Sequence, residues 1–232
     1  MENGKLYGVG VGPGDPELIT LKAVNTIRKC DIIAVPRSGE SEKVAFSIAK
    51  GAVNDIECKE IVEIDMPMTR DKDILNASHE AGANILIDLI KKGKNIAFLT
   101  LGDPCIYSTY IYIHKRVLSK GYSAEIIPGV PSFCAVAARL NEGLVEGAEP
   151  LHIIPASYKG ASEGLDFKGT KVLMKTGRSI NKVKESLKEK GLYENAKMVQ
   201  RCTMDGEAVF DSLDDVDESS SYFSIIVVKD KE

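Results

Sequence analysis

The sequence predicts an α/β fold in two parts: a mostly parallel sheet with helices over residues 1–142, then a mixed sheet with helices over residues 143–232. Three observations carry this. Up to about Leu140, short apolar runs alternate with longer amphipathic segments, the pattern of a parallel sheet with crossover helices. Those runs end in glycine- and proline-rich loops. After about Gly143 strand-like runs outnumber helical ones, as in an α+β domain with a mixed or antiparallel sheet. At 232 residues the chain is long enough to bury its core without metal or disulfide staples.

Leu6 to Val11 is apolar and glycine-rich and breaks at Gly12-Pro13-Gly14-Asp15-Pro16, so it reads as a buried strand ending in a tight loop. Glu17 to Cys30 has Leu18, Leu21, Val24 and Ile27 at helical spacing, with Asp15 suited to the N-cap and Pro16 to the first turn. Asp31 to Val35 is a second buried strand, stopped by Pro36; Glu42 to Lys50 is helical and Glu60 to Ile64 a strand. Asp71 to Lys92 is a long helix with Ile74, Leu75, Ala81, Ile85, Leu86, Leu89 and Ile90 on one face, ended by Gly93. Asn95 to Leu101 is a buried strand, Ser108 to Ser119 a helix, Ala124 to Ile127 a strand, and Ser132 to Leu140 a small-residue helix. Asn141 to Pro150 is the expected hinge. Beyond it Leu151 to Pro155, Lys171 to Lys175, Lys197 to Cys202, Glu207 to Phe210 and Tyr222 to Val228 read as strands, with Asn181 to Lys190 the clear helix. The acidic, serine-rich Asp211 to Ser221 reads as a solvated loop.

Thirty Lys+Arg against 34 Asp+Glu give a net charge of −4, which excludes a generally basic nucleic-acid coat. No apolar run reaches the ~18 residues that span a bilayer. The polar opening Met1-Glu2-Asn3-Gly4-Lys5 leads straight into a strand, so no signal peptide is expected. Five cysteines, odd in number and without a CxxC pair, read as small buried hydrophobes in a reducing compartment. His79, His114 and His152 have no metal-ligand spacing, and no metal centre is expected.

Four loops are candidates for chemistry. Gly8 to Pro16 matches neither the dinucleotide GxGxxG spacing nor the Walker pattern. Pro13 and Pro16 remove backbone donors, and Asp15 and Glu17 place negative charge where a pyrophosphate would sit. The loop therefore suits close approach of two backbones or a ligand that is not a polyphosphate. Thr100 to Ser108 follows a buried parallel strand, where ligands bind in open α/β sheets; Asp103 there is either an N-cap or a functional carboxylate. Pro128 to Phe133 is a third such loop, with Ser132 at a helix start. Val172 to Arg178 ends a strand in Lys175 and Arg178, which suit anionic groups or simple solvation.

These four segments, in this order, resemble the tetrapyrrole methylase family, the S-adenosylmethionine-dependent enzymes of sirohaem and cobalamin synthesis. Leu6 to Ala23 looks like the first motif of the family, and Leu99-Thr100-Leu101-Gly102-Asp103-Pro104 with Tyr107-Ser108-Thr109 looks like its second. Tyr107-Ser108-Thr109-Tyr110 most resembles the branch that methylates carbon 20 of precorrin-2 or cobalt-precorrin-2 in cobalamin biosynthesis. Branches acting on uroporphyrinogen III, on a protein side chain (diphthine synthase-like) or on rRNA are the competing readings; an RNA substrate calls for a basic stripe that the charge balance does not encourage.

The resemblance implies a cytoplasmic homodimer of two-domain chains. Each folds S-adenosylmethionine, and its product S-adenosylhomocysteine, into the cleft between domains, and the acceptor is a small-molecule tetrapyrrole. It places Pro13 on the tetrapyrrole side, Leu101, Gly102, Asp103 and Ile106 at the methionine and ribose, and Ser132 and Met174 further along the cofactor. Ala208 completes that wall. Arg37, Lys175 and Arg178 are candidates for the acceptor's carboxylate arms. Asp103 and Tyr107, with water as a third option, are candidates for the base that removes the carbon-20 proton. Methyl transfer from a sulfonium disperses positive charge, so backbone carbonyls rather than a carboxylate are expected at the sulfur.

Overall fold

Strands that alternate with helices, as in the first part, pair in parallel. A computed structural model describes residues 2–37, 40–158, 160–217 and 221–230, with the side chains of residues 40–43 and 178 outside that set. The chain divides into two compact units, Met1–Pro131 and Ser132–Glu232.

In the first unit β1 (Leu6–Gly10), α1 (Leu21–Lys29), β2 (Ile32–Arg37), α2 (Glu40–Ala52), β3 (Glu60–Asp65), α3 (Lys72–Lys91), β4 (Ile96–Thr100), α4 (Tyr110–Ser119) and β5 (Ala124–Ile127) alternate without a break. The strands form one sheet in the order β3-β2-β4-β1-β5, with every neighbouring pair parallel. The central strands β1, β2 and β4 are largely buried because helices cover both faces there, whereas the edge strand β3 carries Glu60, Glu63 and Asp65 and is mostly exposed. Val9, Ile33, Ala97 and Leu99 pack with Val24 and Ile27 of α1 and Ile48 of α2. Leu6, Ile32, Ile96 and Phe98 pack with Leu86 and Ile90 of α3 and Ile113 of α4.

Several expected boundaries shift for local reasons. The helix expected over Glu17 to Cys30 is broken: Asp15 accepts the Glu17 N–H and caps only a 3-10 turn at Pro16–Leu18. Ile19 and Thr20 are then extended, and the Thr20 hydroxyl accepts the Ala23 N–H to start α1. Leu21, placed on the buried face by its spacing, is 82% exposed. β2 continues through Pro36, beyond the stretch it shares with β4, where one neighbour remains and a missing N–H is tolerated. On α3 the buried stripe is Ala83, Leu86, Ile87 and Ile90, whereas Ile74 and Ile85 of the expected face are exposed.

The second unit begins with α5 (Ser132–Leu140), followed by β6 (Leu151–Pro155), α6 (Ala161–Gly164), β7 (Thr170–Met174), α7 (Ile180–Glu189), β8 (Ala196–Gln200), β9 (Ala208–Phe210) and β10 (Ser224–Val228). A boundary after Glu142 leaves α5 with the first unit; in the structure α5 packs on β8 and β10. The sheet order is β6-β7-β10-β8-β9; β6 and β7 are parallel and the remaining pairs antiparallel, so the sheet is mixed. Leu173, Met198, Ile226 and Val228 pack with Ile180, Val183 and Leu187 of α7. Leu213 and Val216 join that core, so the acidic segment is not wholly a solvated loop; its residues 218–220 lie outside the described set.

Lys171 on β7 is 1% exposed and is ion-paired with Asp230. Burial raises the Asp230 carboxyl, and hydrogen bonds from Lys171 and the Gly169 N–H outweigh it, leaving the group below its usual range. The cysteines depart from expectation: Cys30 and Cys202 are buried, but Cys58, Cys105 and Cys134 are exposed.

Candidate functional site

Strand order decides which loops meet. β1 lies between β4 and β5, so the loops after these three strands emerge side by side at the carboxyl end of the sheet. Gly12 and Gly102 form a two-way bridge: the Gly12 N–H donates to the Gly102 carbonyl at 3.3 Å, and the Gly102 N–H to the Gly12 carbonyl at 2.8 Å. Both glycines have positive φ, 82° and 70°, which a side chain would make costly. A Cβ on Gly10 would lie 2.6 Å from the Gly129 nitrogen and 2.7 Å from the Gly102 oxygen. One on Gly129 would lie 2.8 Å from the Gly10 carbonyl carbon and closer still to the Gly102 oxygen. Three backbones therefore touch where side chains would hold them apart. The glycine run of the first loop serves this contact, and Pro13 is buried beside it.

Asp103 ties the contact together. It is 9% exposed, and its Oδ1 accepts the Cys105 N–H at 2.7 Å while Oδ2 accepts the Gly129 N–H at 3.0 Å. Its carbonyl accepts the Ile106 N–H, which closes a turn with Pro104 in second position. Asp103 is not the cap of the following helix, because α4 starts only at Tyr110. Leu101 is half-buried against the core on the α1 side. Ile106 is half-buried, and Tyr107 is 43% exposed with φ of 49°, a left-handed conformation that bulky residues seldom adopt. Burial pushes the Tyr107 phenol up. Burial, then the Asp103 carboxylate, pushes the Cys105 thiol up.

Two features of this region carry no signal in the sequence. The Thr100 hydroxyl at the end of β4 is buried without a hydrogen-bond partner. Gly8 lies against the Tyr110 ring, whose hydroxyl is within 3.0 Å of His114 Nδ1; burial lowers the His114 pKa.

In the second unit Met174 ends β7, and its carbonyl accepts the Ala156 N–H at 2.8 Å. Lys175 follows with φ of 60°, and burial lowers the pKa of its ammonium. Its Nζ is 5.8 Å from the centroid of the Tyr158 ring. Thr176 is fully buried and donates its hydroxyl to the Ser224 carbonyl at 3.1 Å. Ser132 is the first residue of α5. Ala208 is on edge strand β9, separated from β7 by β10 and β8, so the sheet does not bring it beside Met174. In the first unit Arg37 already faces two carboxylates, Asp65 at 3.2 Å and Glu63 at 4.0 Å. The Arg178 side chain lies outside the described residues. No described helix is long and apolar enough to cross a membrane.

The fold and these loops match known proteins. The family described as Tetrapyrrole (Corrin/Porphyrin) Methylases matches residues 5–217. A probable cobalt-precorrin-2 C(20)-methyltransferase of Methanocaldococcus jannaschii is 38% identical over 229 residues, covering 97% of this chain and 96% of that protein. A precorrin-2 C(20)-methyltransferase of a Sinorhizobium species is 32% identical over 97% of this chain and 95% of its own length. Uroporphyrin-III C-methyltransferase of Thermus thermophilus, solved with S-adenosylhomocysteine, superposes with a TM-score of 0.72 at 17% identity, covering 98% of each chain, which shows a shared fold. With its motif loops joined as described, this chain belongs to the tetrapyrrole methylase family.

Proposed function

We propose that the protein methylates carbon 20 of precorrin-2 or cobalt-precorrin-2, with S-adenosylmethionine as donor, in corrin ring biosynthesis. The observation that carries this is likeness along 97% of the chain to relatives bearing that activity in their names. We read the protein further as a cytoplasmic homodimer acting on a small molecule and not on nucleic acid, on the resemblance of its motifs and its net charge of −4.

The residues fit a sulfonium donor. The carboxylate nearest the loop junction, Asp103, already accepts two backbone N–H groups, so it is turned inward as a structural acceptor. A carboxylate on the sulfur would stabilise the ground state more than the transition state, and none is needed there. Asp15 and Glu17 on the first loop disfavour a pyrophosphate but not a cation. Bound S-adenosylmethionine supplies an electrophilic methyl carbon.

The chain's own contribution is positional. Asp103, Gly102 and Gly129 lock the loop that carries Leu101 and Ile106, which we assign to the methionine and ribose. Pro13, Ser132, Met174 and Ala208 are the remaining assigned cofactor positions, Ala208 resting on the family likeness alone. Lys175, with Arg178 and Arg37, is assigned to the acceptor's carboxylate arms, each charge-assisted contact contributing about 1.5–3 kcal/mol. For Arg37 to serve, Asp65 and Glu63 must release it. Of the candidate bases, Tyr107 is half-exposed and sits on the same loop, whereas the Asp103 oxygens are engaged. Because burial keeps the Tyr107 phenol protonated, we assign removal of the carbon-20 proton to a water that the Tyr107 hydroxyl orients, and a positioning role to Asp103. Holding the methyl carbon about 3–3.5 Å from the attacking carbon is what such rigidity achieves.

The test is incubation with S-adenosylmethionine and either metal-free or cobalt-loaded precorrin-2, followed by mass spectrometry and NMR of the product. One added methyl on carbon 20 supports the reading. Binding of S-adenosylhomocysteine with no methylation of either tetrapyrrole overturns it.

A further inference from the structure

The mixed sheet of the second unit brings two tyrosines to the lysine at the end of β7. β10 runs antiparallel to β7, with Ile226 opposite Leu173, so the residues that precede β10 lie beside those that follow β7. The contact is close. A Cβ on Gly177 would lie 3.0 Å from both the Ser221 oxygen and the Tyr222 Cα, and the Thr176 hydroxyl pins the Ser224 carbonyl. Tyr222 is thereby fixed next to the Lys175 segment. Tyr158 arrives from the other side, one turn after β6, its N–H donating to the Pro155 carbonyl. Burial, and to a lesser degree the Tyr158 phenol, raises the Tyr222 phenol's pKa. Tyr158 is 63% and Tyr222 49% exposed, so both rings keep a large open surface.

Lys175 occupies its position against backbone preference. Its φ of 60° is the conformation that glycine adopts at no steric cost and that other residues hold only when their surroundings impose it. Held there, Lys175 places its ammonium 5.8 Å from the centroid of the Tyr158 ring.

We propose that Tyr158, Lys175 and Tyr222 form one recognition unit for the edge of a flat conjugated ring that carries carboxylate arms. The phenol faces stack on the ring and the ammonium takes a carboxylate. In the absence of ligand the Tyr158 face holds the ammonium by cation–π attraction, which a carboxylate then displaces. The unit rests on the tetrapyrrole reading above and deepens it by adding two aromatic residues that set preference for a planar, anionic acceptor.

The experiment compares wild type, Lys175→Gly and the double variant Tyr158→Ala/Tyr222→Ala. Cobalt-precorrin-2 is titrated by absorbance at two salt concentrations, and S-adenosylhomocysteine by calorimetry. Lys175→Gly relieves the left-handed backbone, so its thermal midpoint should equal or exceed that of wild type. Its acceptor Kd should rise about tenfold or more, with a flatter salt dependence. The double variant should weaken the acceptor about tenfold with its salt dependence intact, since stacking is not screened. In all variants the Kd for S-adenosylhomocysteine should stay within about twofold, because the contacts removed are assigned to the acceptor. Acceptor binding equal to wild type in both variants, with wild type still methylating it, overturns the unit and leaves the function standing. Loss of S-adenosylhomocysteine binding with acceptor binding intact overturns it by moving these residues to the cofactor. A wild type that binds S-adenosylhomocysteine but not cobalt-precorrin-2 removes the functional reading and the unit together.

Discussion

Replacing Gly129 with alanine puts one methyl group into the junction of three loops. Its Cβ would sit 2.8 Å from the Gly10 carbonyl carbon and nearer still to the Gly102 oxygen, and both are backbone atoms with no side-chain freedom to yield. Overpacking of this kind costs about 1–3 kcal/mol. Relief requires the loop after β5 to retreat, which lengthens the 3.0 Å bond from the Gly129 N–H to Asp103. A hydrogen bond to a charged group contributes about 1.5–3 kcal/mol, so the total expected loss is about 2.5–6 kcal/mol if that bond is broken outright. Gly121→Ala is the matched control. Gly121 has φ of 82° but nothing within 4 Å of its Cβ position, so it incurs only the backbone penalty of about 1–2 kcal/mol. Urea unfolding of the two variants measures the difference, and titration with S-adenosylhomocysteine reads whether the junction shapes the cofactor loop. If Gly129→Ala loses no more stability than Gly121→Ala, the three-loop contact does not hold the site together.

Asp103→Asn keeps the shape but turns one acceptor oxygen into a donor facing a backbone N–H, so urea unfolding should show a loss of about 2–4 kcal/mol together with weaker S-adenosylhomocysteine binding; near-normal values for both would reduce Asp103 to a surface turn residue. Thr100→Val removes a hydroxyl buried without a partner and should raise the thermal midpoint, by about 1 kcal/mol of stability; a lower midpoint would reveal a partner for that hydroxyl. Asp230 is held below its unfolded value of 3.8, so its pairing stabilises the fold above that pH and is lost as pH falls through the depressed folded value. Lys171→Met should therefore be less stable than wild type at pH 7, with the gap closing below about pH 4 in acid unfolding monitored by circular dichroism. A gap independent of pH would mean that packing, not the ion pair, is what Lys171 contributes.

The first unit was largely legible in sequence because its central strands are buried on both faces and each strand is followed by a helix, which leaves apolar runs and periodic segments in alternation. Errors arose where one side chain decided a boundary. Thr20 restarts a helix that hydrophobic spacing alone carries through from Glu17, and the spacing of α3 does not say which of two neighbouring stripes faces the sheet. Asp103 was visible as a special residue, but not its bond to Gly129, because that bond depends on β5 lying next to β1. Glycine spacing likewise shows that backbones come close without saying whether the neighbour is a ligand or another loop. Here the atoms that would meet the missing side chains of Gly10 and Gly129 belong to the protein itself.

The second unit shows the deeper reason why part of a site escapes a reading along the chain. Lys175 was recognisable as a cation at a strand end, yet Tyr158 and Tyr222 stand in segments with no motif of their own. They become neighbours of Lys175 because β7 lies between β6 and β10, and because β6 runs parallel to β7 while β10 runs against it. One end of the sheet therefore gathers the residues just after two strands and those just before a third. Pairing order and direction are set by long-range burial of Leu173, Ile226 and Met198 against α7, not by local preference. A chain with the same residues and β10 parallel to β7 would carry Tyr222 to the opposite end of the sheet. The chemistry of Lys175 is thus written locally, but its aromatic surroundings are a product of topology.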